Sequence, residues 1–275
     1  MTSTAHTLTL TVGGGDLDVA VTVEEHDARD GGGEPQGPVR TFLLLHGGGG
    51  PQTVAPFARL LAERRPARVI TPVHPGFGGT DRPAWLTAPA GVAEVHAALL
   101  DALDARDVVV VGNSIGGWIA AELALLGSER IAKVLIVNGV GIDLPGHPVA
   151  DTFPLTPAEL ARLSFHDPSK FRFDPSALTD GQRAVAAANR AALEVYAGRE
   201  MRDPTLRERL GKVAHPTLVA WGESDRVVDA DYGRAFARAV PGGRFRLLPG
   251  TGHMPQVETP EEFLPVVWEF ATSQG

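Results

Sequence analysis

From Val39 onward, short and wholly apolar runs alternate with longer amphipathic stretches, and no other feature of the sequence restricts the fold as strongly. The runs are 41–45, 68–71, 108–111, 134–137, 217–221 and, last, 245–248. Unbroken Val, Ile and Leu runs suit strands buried on both faces of a parallel sheet. Between them lie helical stretches at 53–63, 92–103, 115–126, 230–239 and 260–271. Strand and helix in alternation imply right-handed crossovers and a doubly wound α/β architecture. A hydrophobic share of 43% and a charged share of 21% supply the core and the surface such a fold needs.

Two segments depart from the alternation. Residues 7–12 and 17–23 alternate apolar with polar residues, which predicts an antiparallel hairpin turning at Gly13–Asp16. Residues 24–37 are rich in glycine and charge and read as a solvated loop. Its Gly31-Gly32-Gly33 is no phosphate loop, because no helical pattern follows it. Residues 141–212 carry no strong buried strand and look helical, with breaks at Pro154, Pro157, Pro168, Pro175 and Pro204. The expected organisation is a core of 1–140 and 213–275, with 141–212 inserted as a helical cap over the carboxyl edge of the sheet.

Charge and composition remove several classes of function. With 25 basic and 33 acidic residues the net charge is −8, unsuited to nucleic acid or to an anionic membrane surface. The absence of cysteine excludes disulfides, thiolate catalysis and cysteine-ligated metals. The N-terminus lacks the basic and apolar regions of a signal peptide, and no apolar run approaches the roughly 20 residues of a membrane span. A cytoplasmic protein acting on a small molecule is expected.

The chemistry concentrates in four places. Gly112-Asn113-Ser114-Ile115-Gly116 stands between the apolar run 108–111 and the helical stretch 115–126. This is the strand–turn–helix setting of a nucleophile elbow, in which small residues two positions either side let strand and helix approach. A serine hydroxyl needs a base. His253, in Gly252-His253-Met254-Pro255 after the last strand, occupies a loop where open α/β sheets place their sites. A carboxylate must orient that imidazole. Asp225, following the strand 217–221, is preferred over its neighbours Glu223 and Asp229. His46-Gly47-Gly48-Gly49-Gly50 follows the strand 41–45, and its amides can approach a developing oxyanion unobstructed. The amides of Gly48 and Ile115 are the expected pair, with Gly47 or Gly49 as alternatives to Gly48. No Lys-Ser/Thr pair follows these glycines, as a phosphate-binding loop would require. His46 reads as a structural hydrogen bonder beneath the loop, and His74-Pro75-Gly76-Phe77-Gly78-Gly79-Thr80-Asp81 as a turn-rich loop bordering the site. No H-E-x-x-H spacing occurs, so neither a metal nor an organic cofactor is expected.

With these segments in place, the sequence resembles the α/β-hydrolase superfamily from Thr41 to Ala271. The resemblance implies an α/β-hydrolase fold and a serine hydrolase forming an acyl-enzyme through Ser114, His253 and Asp225. Asn113 and the glycine-rich loop look like the carbon–carbon bond hydrolases of aromatic meta-cleavage pathways. That likeness puts Gly47, Gly49, Asn113 and Met254 beside the substrate. Two positions depart from it. Met254 stands where those enzymes usually carry an aromatic residue, and Ala186, flanked by Arg183 and Arg190, stands near their substrate-holding arginine.

The expected activity is cleavage of an ester or related acyl bond in a medium-sized apolar or aromatic compound. The pocket would be chosen by Phe153, Leu155, Leu160, Leu163, Phe165, Phe171, Phe173, Leu193 and Tyr196 of the cap. The alternatives are hydrolysis of a carbon–carbon bond in a vinylogous diketone, lactone or thioester cleavage, a non-hydrolytic cyclase or lyase step, and a small-molecule receptor of hydrolase shape. The closing helix and the cap are the surfaces through which a homodimer would form.

Overall fold

The computed structural model describes residues 2–13, 17–27, 38–171 and 175–274. The N-terminal alternation forms a hairpin, in which β1 (Thr2–Val12) pairs antiparallel with β2 (Leu17–Asp27). Residues 14–16 of its turn and Gly31-Gly32-Gly33 lie outside the described residues. The chain continues through β3 (Arg40–Leu45), α1 (Ala55–Arg64), β4 (Ala67–Pro72) and α2 (Pro89–Ala102). Then come β5 (Val108–Asn113), α3 (Ile115–Leu125), β6 (Ile131–Val137) and a short β7 (Gly141–Ile142). After β7 the chain leaves the sheet as α4 (Pro157–Ser164), α5 (Asp180–Ala197), β8 (Arg202–Asp203) and α6 (Leu206–Arg209). It returns with β9 (Thr217–Gly222), α7 (Ala230–Ala239) and β10 (Arg244–Leu248), and closes with α8 (Pro255–Glu258) and α9 (Pro260–Thr272).

Eight strands form one sheet in the order β1-β2-β4-β3-β5-β6-β9-β10. All neighbours from β4 to β10 are parallel, and β2 joins them antiparallel through β4. Both faces are covered, which is why the central strands read as continuous apolar runs. Leu43, Leu45, Val108, Val110, Val134, Ile136, Val219 and Trp221 pack on one side with residues of α2, α3 and α7. Phe42, Leu44, Val109, Val111, Leu135, Val137, Leu218 and Ala220 pack on the other with Phe57 and Leu61 of α1 and Phe263, Val267 and Phe270 of α9. α3 is buried from Ile115 to Ala124, so it shows no polar face.

The structure corrects two expectations. Glu24 to Asp27 belong to β2 and not to a solvated loop. Their main chain pairs with β4, from Glu24 opposite Thr71 to Asp27 opposite Arg68, and Glu25 binds the Arg68 guanidinium at 2.7 Å. Acidic residues are tolerated in a strand where a basic partner stands across the ladder. In 141–212, β7 and β8 pair as a two-stranded parallel ribbon. The prolines of this segment initiate elements more than they break them. Pro157 opens α4 behind a Thr156–Glu159 capping box, and Pro168 opens a 3-10 turn capped by Asp167. Among the described residues no helix is long and apolar enough to cross a membrane.

Candidate active site

Ser114 stands at the junction of β5 and α3 with φ 58° and ψ −121°, a backbone state that non-glycine residues rarely adopt. Close packing enforces it. A Cβ at Gly112 would lie 2.1 Å from the Gly116 carbonyl oxygen, and one at Gly116 would lie 2.3 Å from the Leu45 carbonyl oxygen. Any larger residue at either position drives the helix off the strand. The serine N–H donates to Val137 O at 3.0 Å, which ties the turn to β6. Ile115 is the first residue of α3, so its N–H has no acceptor within the helix.

His253 follows β10 and Asp225 follows β9, and the structure brings them together. His253 Nδ1 lies 2.8 Å from Asp225 Oδ2, with both residues buried. The carboxylate receives three further hydrogen bonds. Asn138 Nδ2 donates to Oδ2 at 2.7 Å, and the Val227 and Val228 N–H groups donate to Oδ1 at 2.8 and 3.2 Å. Four hydrogen-bonding groups thus meet at the two carboxylate oxygens. The rival acids are engaged elsewhere. Glu223 accepts the Gly250 N–H, and Asp229 caps α7 and binds His147. The His253 N–H donates to Ser164 O at 2.7 Å, so the end of α4 holds the histidine loop.

Asn113 does not have the free amide that a substrate contact would require. Its Nδ2 donates to Val137 O at 3.2 Å and to His253 O at 2.9 Å, and its Oδ1 accepts from Gln256 Nε2 at 3.0 Å. The side chain is buried and joins the elbow to the histidine loop. Gln256, which no local sequence pattern marks, completes this link from α8.

The glycine-rich loop is arranged residue by residue. A Cβ at Gly47 would lie 3.2 Å from both Ser114 Cβ and Asn113 Oδ1, at Gly48 2.7 Å from Leu193 Cδ2, and at Gly49 2.8 Å from Thr53 Cγ2. Gly47 thus faces the elbow, Gly48 faces α5 and Gly49 faces away. Helix α5 lies across this loop and across the 74–81 loop. Asn189 Nδ2 donates to Gly49 O at 3.1 Å, its Oδ1 accepts the Gly78 N–H at 2.8 Å, and Tyr196 donates to Pro75 O. Of the apolar residues expected to line a pocket, Leu193 is placed on the glycine loop. Phe153 is buried in the core beneath the Arg190 and Arg199 guanidinium groups, Phe165 stacks on Phe171, Leu160 is exposed, and Phe173 lies outside the described residues. Met254 is half-buried at the start of α8.

Beneath the loop three buried histidines touch. His46 Nε2 accepts the His74 N–H at 3.1 Å, and His46 Nδ1 lies 2.8 Å from Gly47 O. His74 Nε2 lies 3.0 Å from His46 O, and His74 Nδ1 lies 2.9 Å from His96 Nε2. Burial pushes the His46 imidazole down to about 4 and that of His96 to about 3, and holds His74 well below the ordinary histidine range. The sequence marked His46 as structural. It gave no sign that His74 and His96, 28 and 50 positions away, complete the cluster.

A mixed eight-stranded sheet, a serine on a strained strand-to-helix turn and a histidine–carboxylate pair on the loops after β10 and β9 define the α/β-hydrolase class. The sequence profile of the alpha/beta hydrolase family matches residues 42–266, and the chain belongs to that family. Among curated proteins it is similar to a 2-hydroxy-6-oxononadienedioate/2-hydroxy-6-oxononatrienedioate hydrolase of Paraburkholderia xenovorans, 32% identical over 62% of this chain and 64% of that enzyme, just under two thirds of its length. It is also similar to a 2-hydroxy-6-oxo-6-phenylhexa-2,4-dienoate hydrolase of Burkholderia cepacia, 28% identical over 85% of this chain and 88% of that one. Among solved structures, a thermophilic esterase from Thermogutta terrifontis superposes with a TM-score of 0.73 at 22% identity, covering 97% of this chain and 98% of that one. A meta-cleavage product hydrolase from Pseudomonas fluorescens IP01 gives 0.68 at 20% identity, covering 96% of each. At these identities the two structures attest the fold alone.

Proposed function

We propose that this protein is a serine hydrolase that cleaves an ester or related acyl bond of a medium-sized apolar or aromatic small molecule. The observation that carries the reading is the 2.8 Å contact of His253 Nδ1 with the Asp225 carboxylate, in a fold that raises Ser114 on a strained elbow. Ser114 Oγ attacks the acyl carbonyl while His253 Nε2 takes its proton. Asp225 keeps the Nδ1–H tautomer and balances the imidazolium. The Gly48 and Ile115 N–H groups receive the tetrahedral oxyanion. His253 then protonates the leaving group, and a water molecule, deprotonated by the same imidazole, releases the acid and restores Ser114. Residues 141–212 act as a cap over this site, a role supported by the contacts of Asn189 and Leu193 with the glycine loop.

A second reading is hydrolysis of a carbon–carbon bond, favoured by the activities for which the curated relatives are named. The same attack on a ketone would expel a carbanion in place of an alkoxide. The cap ranks this reading second. Arg183 is bonded to Asp180 and Leu178 O, Arg190 lies over the Phe153 ring, and the Asn113 amide is spent on the protein interior. Of the three, Asn113 has both amide protons spent within the protein, and the two guanidinium groups are held by Asp180 and the Phe153 ring.

The test is labelling by a fluorophosphonate probe, followed by turnover of p-nitrophenyl esters and of 2-hydroxy-6-oxo-6-phenylhexa-2,4-dienoate. Labelling of the parent, and of neither Ser114→Ala nor His253→Ala, is expected, with esters turned over faster than the dienoate. Faster dienoate turnover would install the second reading. A folded parent that does not label would sink both.

A further inference from the structure

We infer that the buried histidines His74 and His96 are positioning residues for the oxyanion donor, acting through His46 as a chain of three neutral imidazoles with fixed proton positions. The inference rests on the serine-hydrolase reading, because it names how the glycine loop of that site is aimed.

The partners settle each proton. His46 Nε2 accepts a backbone N–H, so His46 carries its proton on Nδ1 and donates it to Gly47 O at 2.8 Å. His74 Nε2 faces the His46 carbonyl at 3.0 Å and must be the donor there. In the neutral ring its Nδ1 is then an acceptor, and His96 Nε2 supplies the proton across 2.9 Å. His96 Nδ1 is buried and ends the chain without a partner among the described residues. A further proton on His46 would set donor against donor, and one on His74 would do so unless the His96 proton moved to its unpartnered Nδ1. On His96 it would create a buried N–H with nothing to receive it, at the cost of an unmade hydrogen bond. Geometry and burial thus agree on three neutral rings, and the His46 and His74 rings lie with centroids 3.9 Å apart at a tilt of 34°.

The consequence lies in two peptide planes. The His46 carbonyl is held by His74 Nε2–H, and the Gly47 carbonyl by His46 Nδ1–H and by the Gly50 N–H at 3.0 Å. A trans peptide points its N–H opposite to its carbonyl, and none here is cis. Fixing these two carbonyls toward the histidines therefore aims the Gly47 and Gly48 N–H groups away from them. Glycines have the broadest backbone freedom of any residue, so such a loop needs outside anchors to present one donor geometry. Asn189 supplies an anchor from the cap side at Gly49, and the imidazole chain supplies it from below.

The test begins with the parent, labelled by a fluorophosphonate and assayed on p-nitrophenyl butyrate. His74→Leu removes the donor to His46 O, His96→Leu removes the donor to His74, and His96→Gln keeps an N–H at the Nε2 position. Loss of a whole oxyanion donor costs about 10²–10³ in kcat, so a misaimed one should cost about 10–100-fold. In folded His74→Leu, kcat is expected to fall by that factor with KM changed less than about threefold, and affinity for a boronic acid mimic of the tetrahedral intermediate to fall in step. His96→Leu should fall less far, and His96→Gln should recover most of its loss. Parental kcat in folded, labelled His74→Leu, or equal impairment of the two His96 variants, overturns the inference. Should the leucine variants fail to fold, the ring nitrogen and carbon shifts of the parent decide it. His46 as the Nδ1–H tautomer, with His74 and His96 as Nε2–H, supports the chain, and any other set overturns it. A parent that neither labels nor turns over the ester removes the serine-hydrolase reading itself, and the inference with it.

Discussion

Asp225→Asn is the change that examines the site most closely, because the surroundings dictate how the new amide must sit. Oδ1 of Asp225 accepts the Val227 and Val228 N–H groups, so the asparagine oxygen is retained there. Its NH2 must then occupy the Oδ2 position, which faces both His253 Nδ1 and Asn138 Nδ2. The amide donates to His253 Nδ1 and shifts the ring proton to Nε2, so the imidazole can no longer serve as the base in the proposed mechanism. A histidine held in the wrong tautomer lowers kcat by about 10⁴, equivalent to about 5.5 kcal/mol of transition-state stabilisation. The same NH2 meets the Asn138 NH2 donor to donor in a buried site, which should cost about 1–3 kcal/mol of stability. Adding Asn138→Asp turns that clash back into a hydrogen bond, because the new carboxylate accepts from the amide and still accepts the Gly222 N–H, now given to Asn138 Oδ1 at 3.3 Å. The double variant should therefore regain the stability of the parent in thermal unfolding and remain as inactive as Asp225→Asn. The assays are steady-state turnover of a p-nitrophenyl ester and calorimetry on the three proteins. Asp225→Asn keeping more than a tenth of the parental kcat, or a double variant that regains activity, would refute the tautomer argument.

Two further outcomes follow from buried contacts. Unfolded histidines take up protons near pH 6.5, whereas the folded cluster resists until about pH 4 at His46 and about 3 at His96. The cluster's contribution to stability is therefore fully present above about pH 6.5 and falls as pH drops toward the folded values, by about 1.4 kcal/mol per pH unit per ring. Desolvation is the largest cause at each ring, and mutual repulsion adds to it at His74 and His96. Denaturant unfolding is expected to lose most of the margin of roughly 5–15 kcal/mol between pH 6.5 and 4, and a flat profile across that range would contradict neutral rings. Gly112→Ala would place a methyl 2.1 Å from the Gly116 oxygen, inside a strand–helix contact that has no room to open. It should yield insoluble chain or a Tm lowered by well over 10 °C, and a folded variant near the parental Tm would show that the elbow tolerates separation.

The sequence by itself determined the features that depend on local pattern and on backbone sterics. Apolar runs with period-two packing on both faces marked the sheet, and Gly112 and Gly116 marked an elbow because a Cβ at either would stand only 2.1 or 2.3 Å from a carbonyl oxygen. The order of Ser114, Asp225 and His253 along the chain, each just beyond an apolar run, was legible for the same reason. A loop at the carboxyl end of a strand has its location set by the strand. Tertiary structure alone decided which polar groups meet. Asn138 reaches Asp225 across 87 positions, Asn113 reaches Gln256 across 143, and Asn189 reaches Gly78 across 111. None of these residues differs locally from a polar residue facing solvent, so no local pattern separates Asn113 from a substrate contact. Their roles arise because burial removes water and obliges each donor to find an acceptor, and only the folded chain brings that acceptor within 3 Å.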